Sequence, residues 1–171
     1  LPPIVLPKNI PIIVIPNLRE KISAIAARFY DYPAKKLTMI GVTGTNGKTS
    51  VTQYIATVLT RLGVPCGVIG TVGSGFPGKL NPSINTTPDP VTLERILFEL
   101  VHTGAKAVAM EVSSQGIMGG RINNIDFTIA VFTNLTHEHL DYHGTMEKYG
   151  AAKKMLFSSH NLKYGVINAD D

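Results

Sequence analysis

Short apolar runs alternate with runs of helical spacing along most of this chain. The apolar runs predict strands over residues 37–42, 66–72, 105–112, 127–132 and 164–168. Apolar positions three and four residues apart predict helices over 49–62, around 93–101 and over 146–157. A loop rich in glycine and proline is predicted over 73–90. Strands that alternate with helices are typical of an α/β fold, with a mostly parallel sheet flanked by helices.

The start of the chain follows a different pattern. Five prolines interrupt it, at Pro2, Pro3, Pro7, Pro11 and Pro16. They leave only residues 12–15 free to pair, as an edge strand. Asn17, with Glu20 three residues later, predicts a capped helix after them. We therefore expect residues 1–36 to be the tail of a preceding domain with a linker helix, and 37–171 to be part of the main domain.

Composition narrows the class of protein. Hydrophobic residues make up 44% of the chain, yet no apolar run is long enough to span a bilayer. The first residues lack the features of a secretory signal, so we expect a cytoplasmic protein with no membrane partner. The chain does not start with Met, which suggests a piece of a longer protein. Cys66, the single cysteine, lies in an apolar run and is predicted to fill the core.

The charge pattern bears on possible partners. The net charge is +4, and lysine and arginine are scattered along the chain. Scattered cations disfavour a nucleic-acid surface, whereas a modest positive field suits small polyanions such as nucleotides. We therefore expect small-molecule substrates and no nucleic acid.

The strongest local motif is Gly-Val-Thr-Gly-Thr-Asn-Gly-Lys-Thr at residues 41–49, between the first strand and its helix. Glycines let backbone amides turn toward phosphate oxygens, and the helix N-terminus adds positive potential. Lys48 can neutralise phosphate charge, and Thr49 can ligate magnesium. Val42 stands where the general phosphate loop has a glycine, so this loop is a variant.

Two further segments carry metal-binding side chains. Glu111 ends a hydrophobic strand, and ligands of open α/β sheets bind at such strand ends. Its carboxylate could reach magnesium beside the phosphates, or it could cap a helix or pair with a cation. Residues 137–143 contain three histidines. Zinc is disfavoured there because no cysteine is nearby.

These segments resemble the Mur ligases. Residues 44–49 are similar to the nucleotide loop of that family and of its relative folylpolyglutamate synthetase. Glu-Val-Ser-Ser at 111–114 and Thr-Asn-Leu through His-Leu-Asp-Tyr-His at 133–143 are similar to Mur ligases more specifically. The resemblance implies a P-loop NTPase-like central domain that uses ATP and Mg²⁺.

The resemblance also implies roles for individual residues. Nucleotide contacts fall on Gly44, Thr45, Asn46, Gly47, Lys48 and Thr49. Magnesium ligands fall on Thr49, Glu111, His139 and Lys153, the last as a carbamylated lysine. Lys48 and Lys153 are the implied catalytic residues. No comparable role is implied for His137 or His143, for which solvated or hydrogen-bonded loop positions are expected.

Substrate contacts follow from the tripeptide-forming members of the family. Asn85-Thr86-Thr87-Pro88-Asp89-Pro90 is similar to the segment that holds the UDP-muramoyl dipeptide, although it also fits a turn before a helix. The implied contacts are Thr86, Thr87, Ser113 and Arg121. Gln115, Gly119 and Gly150 depart from the residues common at their positions, which bears on substrate detail and local packing.

The implied activity is an ATP-dependent ligase. It would add diaminopimelate or lysine to UDP-N-acetylmuramoyl-L-alanyl-D-glutamate through an acyl phosphate, as a monomer, in peptidoglycan biosynthesis. Family members carry a C-terminal domain that binds the amino acid. Nothing in this chain resembles it, so little turnover is expected from the chain alone. The alternatives are a folylpolyglutamate synthetase-like ligase, a noncatalytic nucleotide-binding module and, third, a nucleic-acid binder.

Overall fold

Strands and helices alternate in the computed structural model, which describes residues 10–171. The strands are β1 (Thr38–Thr43), β2 (Cys66–Gly70), β3 (Gly73–Phe76), β4 (Lys79–Asn81), β5 (Ala107–Glu111), β6 (Ile129–Phe132) and β7 (Tyr164–Ile167). The α-helices are α1 (Leu18–Phe29), α2 (Lys48–Arg61), α3 (Pro90–His102), α4 (Ser114–Met118), α5 (Leu140–His143) and α6 (Met146–Lys154). Single 3₁₀ turns cover Pro33–Lys36 and Met155–Ser158.

The described strands form one sheet in the order β4-β3-β2-β5-β1-β6-β7. The five strands from β2 to β7 in that order run parallel, and only β3 and β4 are antiparallel to their neighbours. This arrangement confirms the predicted α/β fold. Because β1 lies between β5 and β6, their carboxyl ends meet around residues 43–49, the segment after β1. Val42 pairs with Glu111 across β1 and β5, which brings that glutamate beside the loop.

The core explains the apolar runs of the sequence. Every residue of β2 and β5 is buried, as expected for parallel strands covered on both faces. Cys66 is fully buried in β2, so its prediction as a core residue is confirmed. Burial raises the pKa of the Cys66 thiol to about 11, which leaves it protonated and unreactive at neutral pH.

The segment before α1 differs from its prediction. Residues 12–15 form no strand and are largely exposed, because no strand of the described residues lies alongside them. Helix α1 is present, but Asn17 does not cap it with its side chain. Asn17 has a left-handed backbone with φ 52°, and only its carbonyl meets the helix, accepting from the Glu20 amide at 3.0 Å. Pro2, Pro3 and Pro7 lie outside the described residues.

The predicted loop at 73–90 contains a hairpin. Strands β3 and β4 pair antiparallel there, and β3 extends the sheet from β2. Gly73 has φ 143°, and a Cβ on it would lie 2.4 Å from the carbonyl oxygen of Asn81. Only glycine permits this close approach, and glycine-rich strands lack the apolar alternation on which the prediction relied. The short helices α4 and α5 also went unpredicted.

None of the helices within 10–171 combines the length and apolar character that crossing a membrane requires.

Helix α1 packs against α3, where the rings of Tyr30 and Phe98 lie 5.6 Å apart. Ala26 and Ala27 are buried in α1, and small side chains allow two helices to approach closely.

Glu94 of α3 is a buried carboxyl whose Oε2 has no partner among the described residues. Burial raises its pKa to about 7, above the model-peptide value of 4.5. Between these two values the folded chain holds a proton that the unfolded chain has released, so stability falls as pH rises. We expect Glu94→Gln to stabilise the chain by roughly 2 kcal/mol at about pH 8 and to flatten this pH dependence.

Urea unfolding at several pH values measures this effect. The matched control is Glu99→Gln on the same helix, where the carboxylate is exposed and paired with Arg95. An identical decline in stability for wild type and Glu94→Gln between pH 4.5 and 8 would contradict the prediction.

Candidate functional site

The loop between β1 and α2 has the backbone of an anion cradle. Gly44 has φ 148°, and a Cβ there would lie 1.9 Å from Thr133 Oγ1, so no other residue fits. Gly47 has a left-handed backbone and immediately precedes α2. The first amides of a helix have no intrahelical acceptor, and here they face the loop. These amides and the helix dipole provide a site for a phosphate group.

Lys48 curls over this loop. Its Nζ donates to the carbonyls of Gly44 at 3.0 Å and Thr45 at 2.7 Å. Burial lowers the pKa of Lys48, and the carboxylates of Glu111 and Glu138 oppose that shift. The ammonium group therefore lies against the carbonyls of its own loop.

The loop is held in place by the segment that follows β6. Asn134 accepts from the Asn46 amide at 2.9 Å with its side chain and from the Thr45 amide at 2.8 Å with its carbonyl. Thr133 Oγ1 donates to the Asn46 carbonyl at 2.6 Å. Sequence reasoning assigned no role to Thr133 or Asn134. The available signal was their position directly after β6, the neighbour of β1.

Glu111 lies at the end of β5 with 1% of its surface exposed. Its Oε2 accepts from Thr49 Oγ1 at 3.0 Å, so the structure brings together two of the predicted metal ligands. The Thr71 amide donates to Oε1 at 2.9 Å, and Thr71 Oγ1 donates to Oε2 at 3.2 Å. A Cβ on Gly70 would lie 2.1 Å from Oε1, so this glycine makes room for the carboxylate.

His139 and Lys48 line one cleft beside the phosphate loop. His139 has a left-handed backbone with φ 53° at the start of α5, and its Nε2 lies 3.7 Å from Glu138 Oε2. The cleft has a volume of about 280 Å³. Its lining is polar and contains Lys48, Thr86, Thr87, Ser113, Gln115, Arg121 and His139. The structure thus joins the phosphate-loop lysine to every predicted substrate contact.

Lys153 is buried in α6, with 2% of its surface exposed. Its Nζ donates to the Gly44 carbonyl at 2.7 Å and lies 4.2 Å from the centre of the Tyr149 ring. Burial, to which the positive charge of Lys48 adds a smaller effect, lowers the pKa of Lys153 to about 7. At neutral pH a large share of its amines is therefore uncharged and nucleophilic.

Tyr149 and His143 link the phosphate loop to α4 through contacts of their own side chains. The Tyr149 hydroxyl lies 3.2 Å from Thr45 Oγ1, and its ring lies 5.1 Å from that of His143. His143 Nε2 forms a hydrogen bond with Ser114 Oγ at 2.9 Å. Both rings are buried, and sequence reasoning missed the contribution of Tyr149. His143 occupies a hydrogen-bonded position, one of those expected for it.

The predicted substrate contacts form a hydrogen-bonded group. Thr87 Oγ1 lies 3.1 Å from Ser113 Oγ, and Arg121 Nη1 donates to the Thr87 carbonyl at 2.6 Å. Ser113 also caps α4 by accepting from the Gly116 amide at 3.0 Å. Gln115 lines the cleft, so its departure from the common residue falls among the predicted substrate contacts.

The donor set at Glu111 suits magnesium. Within residues 10–171, no group of three or more His, Cys, Asp or Glu side chains is arranged so that it could hold a metal ion by itself. Magnesium does not need one, since it is commonly held by one or two carboxylates together with phosphate oxygens and water. The carboxylate of Glu111 and the hydroxyl of Thr49 are such hard oxygen donors, and they lie beside the loop.

Comparison with known proteins identifies the family. The Mur ligase middle domain matches residues 42–171. The chain belongs to the Mur ligase family. The UDP-N-acetylmuramoyl-L-alanyl-D-glutamate--2,6-diaminopimelate ligase of Ectopseudomonas mendocina is 54% identical over 160 residues, which cover 94% of this chain and 33% of that relative. The chain therefore spans about a third of the length of the curated relatives it matches.

Solved structures agree with this membership. A UDP-N-acetylmuramoyl-L-alanyl-D-glutamate--2,6-diaminopimelate ligase superposes with a TM-score of 0.80 at 39% identity, covering 92% of this chain and 32% of the other. Mycobacterium tuberculosis folylpolyglutamate synthase superposes with a TM-score of 0.70 at 18% identity, covering 86% of this chain and 41% of the other. The second likeness shows a shared fold alone.

Proposed function

We propose that the gene product carrying this chain is an ATP-dependent ligase that adds diaminopimelate to UDP-N-acetylmuramoyl-L-alanyl-D-glutamate in peptidoglycan biosynthesis. One observation carries the proposal: a single cleft is lined both by Lys48 of the phosphate loop and by the predicted muramoyl contacts Thr86, Thr87, Ser113 and Arg121. A ligase that forms an acyl phosphate must hold the γ-phosphate and a carboxylate side by side. The relatives named for this reaction are similar over nearly the whole chain.

The chemistry requires positive charge in the cleft. A carboxylate oxygen of the muramoyl dipeptide attacks the γ-phosphorus of ATP, the bond to ADP breaks, and an acyl phosphate forms. The amine of the incoming amino acid then attacks the acyl carbon, loses its proton and displaces phosphate. Two like charges 4 Å apart repel by about 4 kcal/mol at intermediate dielectric, so the first step depends on nearby cations.

Residues of this chain would supply and position that charge. Lys48 would leave the carbonyls of its own loop to contact the β- and γ-phosphates, while the first amides of α2 bind phosphate oxygens. Thr49 and Glu111 would hold one magnesium ion, and His139 with carbamylated Lys153 would hold a second. Magnesium bound there would neutralise phosphate charge. Arg121 and Thr87 would orient the muramoyl dipeptide.

We further propose that Lys153 works as a carbamate. Its neutral amine can capture carbon dioxide and become an anion, whereas an ammonium at this position would repel both Lys48 and a metal ion. The pKa of about 7 and the burial of the side chain support this assignment. Burial also protects a carbamate from exchange with bulk water.

The test is ligation by the full-length gene product. ADP release and tripeptide formation are measured with ATP, Mg²⁺, UDP-muramoyl dipeptide and either diaminopimelate or lysine. We expect both signals to require the dipeptide and diaminopimelate. Glutamate ligation to folate would instead support the folylpolyglutamate synthetase-like alternative. ATP hydrolysis indifferent to dipeptide and amino acid would support a noncatalytic module.

Three further points belong to the proposal. The substrates place the reaction in the cytoplasm, and we propose that the protein acts as a monomer. We propose that residues 1–36 belong to a substrate-binding N-terminal domain and its linker helix, and residues 37–171 to the ATP-binding domain. Residues 1–171 alone should turn over little, since the amino-acid site of the family lies in a C-terminal domain that this chain does not resemble.

A further inference from the structure

Thr71 lies between the proposed metal ligand Glu111 and the proposed substrate contact Thr86, and it forms hydrogen bonds with both. It follows β2, and the pairing of Ile69 with Met110 brings it beside Glu111 at the end of β5. Its amide and hydroxyl both bind the Glu111 carboxylate, at 2.9 and 3.2 Å. The same hydroxyl lies 2.9 Å from Thr86 Oγ1. One exposed threonine therefore contacts both a proposed magnesium ligand and a proposed muramoyl contact.

The direction of these hydrogen bonds follows from their chemistry. A carboxylate only accepts, so the single hydroxyl proton of Thr71 is donated to Glu111. Thr71 Oγ1 must then accept the bond from Thr86, whose own proton is thereby committed to Thr71. The chain runs Thr86 to Thr71 to Glu111. The Thr86 hydroxyl is left with lone pairs, which suit a hydrogen-bond donor on a bound substrate.

A change at either end of this chain alters the other end. If a ligand accepts the hydrogen bond of the Thr86 hydroxyl, Thr71 Oγ1 loses its donor. If a cation binds the Glu111 carboxylate, the hydrogen bond that Thr71 donates to that carboxylate is weakened. Thr49 also donates to Glu111 Oε2, so the phosphate loop shares the same carboxylate. Hydrogen bonds to charged groups are stronger than those between neutral groups, so a change at Glu111 has a large effect on the bond from Thr71.

We propose that Thr71 is a positioning residue that couples nucleotide binding to muramoyl-substrate binding through its hydroxyl, by the chain Thr86–Thr71–Glu111. The inference rests on the proposed function and adds a residue that the family resemblance did not assign. Its amide sets the orientation of the Glu111 carboxylate, while its hydroxyl transmits the state of Thr86. By linkage, each ligand then changes the affinity for the other by the same factor.

Calorimetric titration of the full-length gene product tests this without turnover. The affinity for adenylyl imidodiphosphate with Mg²⁺ is measured with and without saturating UDP-muramoyl dipeptide, and the reverse titration checks reciprocity. We expect wild type to show coupling of about fivefold or more. Thr71→Val, which keeps the shape but removes the hydroxyl, should bring the factor to within about twofold of unity, and Thr71→Ser should restore it.

The matched control is Thr103→Val, the same loss of a hydroxyl from an exposed threonine at the end of α3. It should keep the wild-type coupling. Wild-type coupling in Thr71→Val, equal loss in Thr71→Ser, or no coupling in a wild type that binds both ligands would each overturn the inference. A wild type that binds neither ligand would instead overturn the proposed function.

Discussion

Replacing Lys48 with methionine is expected to lower kcat/KM for ligation by about three orders of magnitude in the full-length gene product. Methionine keeps much of the apolar stem but removes the only charge that the phosphate loop itself carries. The Nζ of Lys48 binds two loop carbonyls in this structure and would exchange them for phosphate oxygens when nucleotide binds. Steady-state ADP release with UDP-muramoyl dipeptide and diaminopimelate measures the effect.

The defect should lie in nucleotide use rather than in folding or dipeptide binding. Lys163→Met serves as the control, since this exposed lysine precedes β7 and uses only its backbone amide in the sheet. Binding of UDP-muramoyl dipeptide to Lys48→Met should stay within about threefold of wild type, as its proposed contacts come from other residues. A loss in kcat/KM of less than about tenfold would remove Lys48 from its proposed role.

Local motifs explain why the phosphate loop could be predicted. Gly44, Gly47 and Lys48 act through backbone geometry and charge within a few residues, and their place between a strand and a helix is visible in the apolar pattern. The parallel sheet followed from the same alternation. Both predictions rested on patterns among residues close in sequence, although the sheet itself pairs distant strands.

Features set by distant pairing could not be predicted in this way. The clamp by Asn134 on the loop and the bonds of Thr71 to Glu111 join residues 88 and 40 positions apart. They depend on the strand order, which places β6 beside β1 and β2 beside β5. Asn17 shows the opposite failure: its sequence context fits a cap, but its backbone is left-handed and its side chain forms no hydrogen bond with the helix amides. The predicted roles of the site residues stay predictions until substrates are measured.

Replacing Lys153 with alanine is expected to lower kcat on the order of a hundredfold and to raise the Mg²⁺ requirement, because the proposed carbamate is lost. Small carboxylates such as formate should partly restore the rate by occupying the vacated space. Lys154→Ala is the matched control, because Lys154 is the neighbour of Lys153 on α6 and is exposed, and it should keep the wild-type rate. An equal loss of rate in both variants, or no rescue of Lys153→Ala by formate, would contradict a carbamate at Lys153.

The pH dependence gives the same assignment an independent readout. Burial and the charge of Lys48 lower the pKa of Lys153 to about 7, so the fraction of neutral amine rises steeply between about pH 6 and 8. Carbamate formation, followed by NMR with isotopically labelled bicarbonate, should rise over that range in wild type and vanish in Lys153→Ala. In the unfolded chain the lysine has its ordinary pKa of 10.5 and keeps its proton, so stability should also rise with pH between about 7 and 10.5. A labelled signal that persists in Lys153→Ala would place the carbamate elsewhere. If wild type shows no labelled signal at pH 8 under saturating bicarbonate, Lys153 is an amine that binds the Gly44 carbonyl.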